Sequence, residues 1–260
     1  MADKFAIITG ASTGIGYELA KLAAQDGYDL LVVADEPLID NAAHQFEALG
    51  VQVDSIEADL STIQGVDQLL AAAKGRRIDV LCANAGRGLG HAFLEQEVQQ
   101  WRHVVDTNVT GTIYLLQRVL RDMATRDEGK VLVTGSIAGF IPGSFQAVYN
   151  GTKAFIDSFT EALRNELKGK EGVTLTTLLP GATETEFFDR ADMGDTKVGS
   201  EEKADAAKVA KDGWTALMAG KTRITSGLMN KLQVAASGVL PPSMLAEQHR
   251  NMAEPGTAKD

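Results

Sequence analysis

Tyr149 and Lys153 stand four residues apart in a stretch whose apolar spacing predicts a helix over 147–168, so their side chains project from one face. A tyrosine hydroxyl ordinarily titrates near pKa ~10, and a neighbouring ammonium favours the phenolate, bringing the group towards a range where it exchanges protons with an alcohol or ketone. Ser136 adds a hydroxyl just beyond an apolar run at 130–134, at the carboxyl edge where open α/β sheets bind ligands. A Tyr-x-x-x-Lys pair alone recurs by chance on many helix faces. With Ser136 it describes acid/base chemistry on a carbonyl or a secondary alcohol.

A second constellation lies near the N-terminus. Thr9-Gly10-Ala11-Ser12-Thr13-Gly14-Ile15-Gly16 falls between an apolar run at 5–9 and a helical pattern at 14–26. In that order Gly10 permits a tight turn, Gly14 lets the backbone approach a pyrophosphate and Gly16 allows close helix–strand packing, while the helix N-terminus offers free N–H groups to an anion. Asp35 ends the second apolar run about 20 residues on, where a carboxylate accepts from ribose hydroxyls. Asp59 and Leu60 close the third, near where an adenine ring would lie; helix capping by Asp59 or Ser61 is the rival reading.

Other chemistries fit poorly. A phosphate loop of the Gly-Lys-Ser/Thr kind is absent, and the glycines around Ser136 lie at the wrong offsets for a hydrolase nucleophile elbow. His44, His91, His103 and His249 are scattered without metal-ligand spacing, so no metal is expected. The lone Cys82 sits in an apolar run and reads as a buried structural thiol in a reducing compartment.

The elements that must position these residues alternate in type. Short apolar runs predict strands at 5–9, 30–34, 52–58, 79–83, 130–134, 174–179 and 222–225; amphipathic stretches predict helices at 14–26, 40–49, 65–73, 97–125, 147–168 and 203–219. Strands separated by crossover helices build a parallel sheet with helices on both faces, so the expectation is an α/β three-layer sandwich with seven parallel strands. No linker divides residues 1–260, which read as one nucleotide-binding and catalytic domain. Residues 181–200 are the least regular segment and a candidate substrate lid. Residues 228–252 read as a packing or subunit-contact segment, too short and too polar in their apolar part to span a bilayer.

A formal net charge of −10 argues against a nucleic-acid partner, because phosphate backbones need clustered Lys and Arg. A small, neutral or weakly polar substrate fits better. The apolar stretch after Met1 is too short for a signal sequence, so a cytoplasmic location is expected.

These motifs together resemble the short-chain dehydrogenase/reductase family over residue 4 to at least residue 185. The motifs that carry the resemblance are the glycine turn, Asn84-Ala85-Gly86 after the fourth strand, Asn108 in the long helix, Ser136, Tyr149 with Lys153, and Pro180-Gly181 with Thr183 and Thr185 after the sixth strand. The resemblance implies a Rossmann-type doubly wound fold and an NAD(P)-dependent oxidoreductase interconverting a secondary alcohol and a carbonyl. It implies that Tyr149 is the acid/base, Ser136 holds the substrate oxygen, Lys153 binds the nicotinamide ribose and lowers the tyrosine pKa, and Asn108 supports a water in a proton relay. It places Asn84, Ala85 and Gly86 at the cofactor's border, Thr185 near its carboxamide, and the chain in a homodimer or homotetramer. A nicotinamide-nucleotide-binding regulator on the same fold is the alternative, disfavoured because a sensor needs no proton relay.

NAD is the expected cofactor and NADP the less favoured one. Asp35 would repel a 2′-phosphate, Thr13 stands where NADP-binding relatives usually carry a basic residue, and no Lys or Arg occurs over residues 22–73. The substrate's surroundings are expected from residues 87–93, 138–145 and 187–193, mostly apolar, which favours a medium-sized, largely apolar compound. Two departures stand out: Ala83 precedes Asn84 where a further Asn is frequent, and Gly151 sits inside the helix of Tyr149, where close approach of a cofactor or backbone is the expected reason.

Overall fold

A computed structural model describes residues 4–258; residues 1–3, on which the signal-sequence reading partly rests, and 259–260 lie outside it. The chain alternates β1 (Phe5–Thr9), α1 (Gly14–Gln25), β2 (Asp29–Ala34), α2 (Leu38–Glu47), β3 (Val53–Glu57), α3 (Ile63–Ala72) and β4 (Val80–Ala83), as far as the first half of the sheet. There follow α4 (Val98–Val105), a wider turn (Asp106–Gly111), α5 (Thr112–Arg126), β5 (Gly129–Thr134), α6 (Ala147–Glu166) and β6 (Val173–Leu179). The remainder is α7 (Phe187–Arg190), α8 (Lys197–Ser200), α9 (Ala206–Met218), β7 (Arg223–Thr225), α10 (Leu228–Ser237) and α11 (Pro242–Ala253).

All seven strands pair in parallel, in the order β3-β2-β1-β4-β5-β6-β7. Alternate residues of each strand serve opposite faces. Ala6 and Ile8 of β1 pack with Leu19, Ala23, Val209 and Trp214 from α1 and α9, while Phe5 and Ile7 pack with Val66, Leu116 and Ile156 from α3, α5 and α6. Inner strands β1 and β4 bury every residue because both faces of the sheet are covered. Edge strand β3 buries none of its five residues fully.

After β3 the chain crosses back to place β4 beside β1, so the loops leaving β1 and β4 diverge and open a crevice at the strands' carboxyl ends. Thr9 and Asn84 hold that divergence at a fixed spacing. The Thr9 hydroxyl accepts from the N–H groups of Asn84 and Ala85, both at 2.9 Å, while the Asn84 amide donates to the Thr9 carbonyl at 3.1 Å and accepts from the Thr134 hydroxyl at 3.0 Å. Three adjacent strands are thereby tied at the ends that carry the site.

Three regions differ from the expectation. The single helix over 97–125 is interrupted at Asp106–Gly111 by a turn whose hydrogen bonds span five residues instead of four. The third helix is capped by the Thr62 hydroxyl, which accepts from the Gly65 N–H at 2.9 Å, and not by Asp59 or Ser61. The irregular stretch 181–200 contains two single-turn helices, and 228–252 divides into α10, which buries no residue, and α11, which buries Leu245, His249 and Ala253.

Candidate active site

One cavity of about 380 Å³ occupies the crevice. Gly10, Ser12, Thr13, Gly14 and Ile15 form its floor, Asp35, Asp59 and Leu60 one end, and Ser136, Tyr149 and Lys153 the other. Asn84, Ala85 and Gly86 line one wall; Pro180, Gly181, Thr183 and Thr185 line the opposite one. Residues as far apart in the sequence as Gly10 and Ala253 thus share one surface.

The glycine turn has the conformation its sequence requires. Gly14 has φ +59°, and a Cβ there would press on the Thr185 side chain. Gly16 is not on the cavity wall: it lies behind the turn, where a Cβ would collide with the Gly10 carbonyl and the Asn84 amide. Its absence of a side chain lets α1 start directly against β1.

Asn108 is likewise behind the wall. Its Oδ1 accepts from the Arg87 N–H at 2.8 Å, and its Nδ2 donates to the Arg87 carbonyl at 2.9 Å and to the Thr152 hydroxyl at 2.9 Å. The widened turn at Asp106–Gly111 aims this side chain at the Arg87 peptide groups. The side chain of Asn108, the residue expected in a proton relay, thus ties the Arg87 peptide groups to Thr152 of α6.

Tyr149 and Lys153 come from one face of α6; Lys153 is buried and Tyr149 half-buried. Lys153 Nζ donates to the Thr134 carbonyl at 2.8 Å and lies 5.9 Å from the Tyr149 ring centre. Burial pushes the Tyr149 hydroxyl up to about 12, against the Ser136 hydroxyl, which lowers it; the Asp157 carboxylate raises it further. Burial also holds Lys153 below its ordinary value while Asp157 pulls it back up. The Ser136 hydroxyl accepts from the Ala138 N–H at 3.1 Å, which starts a short helical turn and fixes the serine beside Tyr149.

Asp157 continues the Tyr149–Lys153 face by one more turn. It is 7% exposed, both of its carboxylate oxygens lack hydrogen-bond partners, and it packs so closely on Gly135 and Gly139 that a Cβ at either would strike it. Burial raises its pKa, opposed mainly by Lys153 and by the Ser136 N–H. Sequence reasoning missed it, although the spacing 149, 153, 157 carried the signal.

Two arginines reach the opposite end, where the run 22–73 supplies none. Arg87 Nη1 lies 3.4 Å from Asp35, and Arg190 Nη2 contacts both Glu36 oxygens at 2.7 Å. The expected substrate-side segments contribute Arg87, Gly88, Ala138, Ile141, Phe187, Phe188 and Arg190 to the cavity. Phe187 covers the Tyr149 ring at 5.0 Å between centres. Gln146, Asn230, Gln233, His249, Met252 and Ala253 also line it and were not anticipated; the 249, 252, 253 spacing of one helix face was the available sign. No protein atom lies within 4 Å of a Cβ position at Gly151, so no backbone makes the close approach expected for it. Among the described residues, no cluster of three His, Cys, Asp or Glu side chains could hold a metal, and no helix is long and apolar enough to cross a membrane.

Comparison with known proteins agrees with this architecture. The family model described as short chain dehydrogenase matches residues 4–195. An uncharacterized oxidoreductase of Staphylococcus epidermidis is 32% identical over 198 residues, covering 75% of this chain and 84% of the relative. A short-chain dehydrogenase from Sphingobium yanoikuyae, solved in complex with NADPH, superposes with a TM-score of 0.80 at 27% identity over 91% of this chain and 94% of that one. The bulky-bulky ketone specific alcohol dehydrogenase from Comamonas testosteroni superposes with a TM-score of 0.77 at 26% identity, over 96% and 99% of the two chains. A continuous match to the family across the glycine turn, the cavity walls and the Tyr149–Lys153 face, on a seven-stranded parallel sheet, leaves one assignment: this chain belongs to the short-chain dehydrogenase family.

Proposed function

We propose that the protein is an NAD(P)-dependent oxidoreductase that interconverts a secondary alcohol and a carbonyl, with Tyr149 as the acid/base. The observation that carries this reading is that Ser136, Tyr149 and Lys153 open into the same cavity as the glycine turn and Asp35. A nicotinamide dinucleotide fits those residues: there is no side chain at Gly14, the start of α1 lines the cavity, and the lining runs along the sheet's carboxyl edge from the loop after β3 to the loop after β6. Bound there, the cofactor supplies or accepts the hydride.

The chain's own residues handle the proton. In carbonyl reduction Tyr149 gives its phenolic proton to the substrate oxygen, and Ser136 donates to that oxygen and orients it. Lys153, protonated and anchored on the Thr134 carbonyl, stabilises the phenolate left behind. Asn108 acts as a positioning residue by holding the Arg87 peptide. Phe187 excludes water from the Tyr149 ring.

The alcohol dehydrogenase from Comamonas testosteroni supports a carbonyl–alcohol reaction by similarity. NAD is proposed as the preferred cofactor because Asp35, the residue that follows β2, lines the cavity, although Arg87 beside it narrows the margin. The test is a panel of ketones and alcohols with each cofactor, followed by absorbance of the reduced form, together with Tyr149→Phe. That variant should bind cofactor normally and lose about a hundred- to ten-thousandfold in turnover. Retention of more than about a tenth of the turnover would remove Tyr149 from the acid/base role.

A further inference from the structure

The segment after β7 divides into two helices that treat their apolar residues differently. α11 turns Leu245 and Ala253 inward, whereas α10 buries none of its ten residues. The side of α10 towards the cavity is polar: Asn230 and Gln233 line the cavity, and Asn230 Nδ2 donates to the Ser226 carbonyl at 2.6 Å. Its outer side is apolar. Leu228 and Met229 are 73% and 75% exposed, and Leu232, one turn on, is 56% exposed. Val239 and Leu240 continue that side past the end of the helix, where their N–H groups still donate to the Ala236 carbonyl at 3.0 Å, and Met244 stands exposed beyond them.

This reverses the usual surface helix, which turns apolar residues to the core and polar ones to water. An isolated helix shorter than about 12–15 residues is marginal in water, so a helix of this length that buries nothing needs a further surface to pack on. Large apolar side chains exposed together over residues 228–244 are the mark of an interaction site, whereas single ones scattered over a surface need no explanation.

Charge selects what covers it. The chain is 23% charged with a formal net charge of −10, yet residues 224–246 carry one charge, that of Lys231. Two acidic copies repel over most of their surfaces, and here they can approach without opposing carboxylates. Depletion of charge with enrichment in methionine is also the composition of a protein–protein interface core. A lipid surface fits less well. Helices that lie on membranes carry several Lys or Arg with Trp or Phe at the boundary; residues 224–246 hold one lysine and no aromatic residue, and an anionic bilayer would repel the rest of the chain. We propose that two copies of this chain pack the outer sides of α10 against each other about a twofold axis, with Leu228, Met229, Leu232 and Val239 at the centre of the contact. α10 is then a wall between two environments, polar towards its own cavity and apolar towards the second copy. The proposal does not depend on the oxidoreductase reading.

The test is the mass of the full-length protein by sedimentation velocity at about 10 µM, unmodified and as Leu232→Glu and Val239→Lys. Both positions are exposed and line no part of the cavity, so each variant should keep the melting behaviour of a folded subunit. Across a twofold axis each substitution sets a like charge against its own copy, so each should halve the mass of the assembly and raise its dissociation constant by about a hundredfold or more. Amide exchange over 228–240 should speed up in both variants while that of β1 and β4 stays as it was. An unmodified protein that is monomeric, or a mass that both variants keep, overturns the proposal. So does pelleting with phosphatidylcholine vesicles that Leu232→Glu abolishes, which would make a lipid surface the occupant.

Discussion

The Arg87 guanidinium lies 3.4 Å from the Asp35 carboxylate, joining the loop after β4 to the end of β2 across the cavity. Either residue could face a cofactor ribose, and they favour opposite cofactors. Asp35 accepts from free hydroxyls and repels a 2′-phosphate; Arg87 attracts one. Asp35→Ala should therefore raise the NADP/NAD ratio of catalytic efficiencies by about tenfold or more, with Arg87→Ala moving it the other way. Efficiencies with both cofactors on one substrate check this, and an unchanged ratio in both variants would show that neither side chain reaches the ribose.

Gly151 lies in the interior of α6 with open space where a Cβ would stand. Glycine in that setting costs about 1 kcal/mol relative to alanine through backbone freedom lost on folding. Gly151→Ala should stabilise the protein by ~0.5–1 kcal/mol in denaturant unfolding, with turnover unaltered. A destabilised variant would mean that the position carries a contact absent from the single chain.

The Asp157 carboxylate opposes the effect of burial on Lys153 and draws its pKa back towards the ordinary value. Within the packed core it faces Lys153, Ser136, Arg223 and Glu161. Asp157→Asn removes the charge with little change of shape, so burial alone then acts on Lys153 and lowers its pKa further. In the proposed mechanism a protonated lysine stabilises the phenolate, so on that reading the alkaline limb of the pH–rate profile should move down by about half a pH unit or more. A purely structural role would change stability and leave that limb in place.

The fold and the three residues Ser136, Tyr149 and Lys153 were legible because their signals are local. Strands with both faces covered read as short apolar runs, the glycine turn arrives between the first strand and helix, and Tyr149 and Lys153 share a face by spacing alone. Arg87 was invisible in its relation to Asp35 because 52 residues separate them, so the absence of Lys and Arg over 22–73 overstated the negative charge at that end. His249 meets Ser144 across 105 residues, and nothing in its immediate sequence distinguishes a cavity histidine from a surface one. The break at Asp106–Gly111 was hidden for a different reason: the apolar period runs straight through it, and only the need to reach the Arg87 peptide with Asn108 explains it.

The segment 181–200 is docked over the cavity, and the groups that hold it define how it should open. Its polar links towards the cavity rim are Arg190 to Glu36 at 2.7 Å, the Ala191 carbonyl from the Gly90 N–H at 2.8 Å, and Asp192 to His91 at 2.8 Å; Asp195 and Lys197 tie it to residues 256–258, and Ala182 and Glu184 to Ala204. Glu36 also accepts from Ser12 at 2.5 Å, so the same carboxylate ties the segment to the glycine turn. Part-exposed ion pairs of this kind contribute about 0–1 kcal/mol after screening. Phe188, Ala191 and Met193 supply the buried apolar contacts, and Phe187 closes over Tyr149. Single-turn helices held by part-exposed ion pairs and loop hydrogen bonds predict a segment that opens more readily than the sheet beneath it. Amide hydrogen exchange over 187–200 should be faster than in β1, β4 and β5 without cofactor, and should slow when NAD⁺ is added. Arg190→Ala should speed exchange in this segment by up to about fivefold, the factor expected for a loss of ~1 kcal/mol, and leave the sheet amides unchanged. Equal and strong protection with and without cofactor would mean that the segment is a fixed wall of the cavity and not a lid.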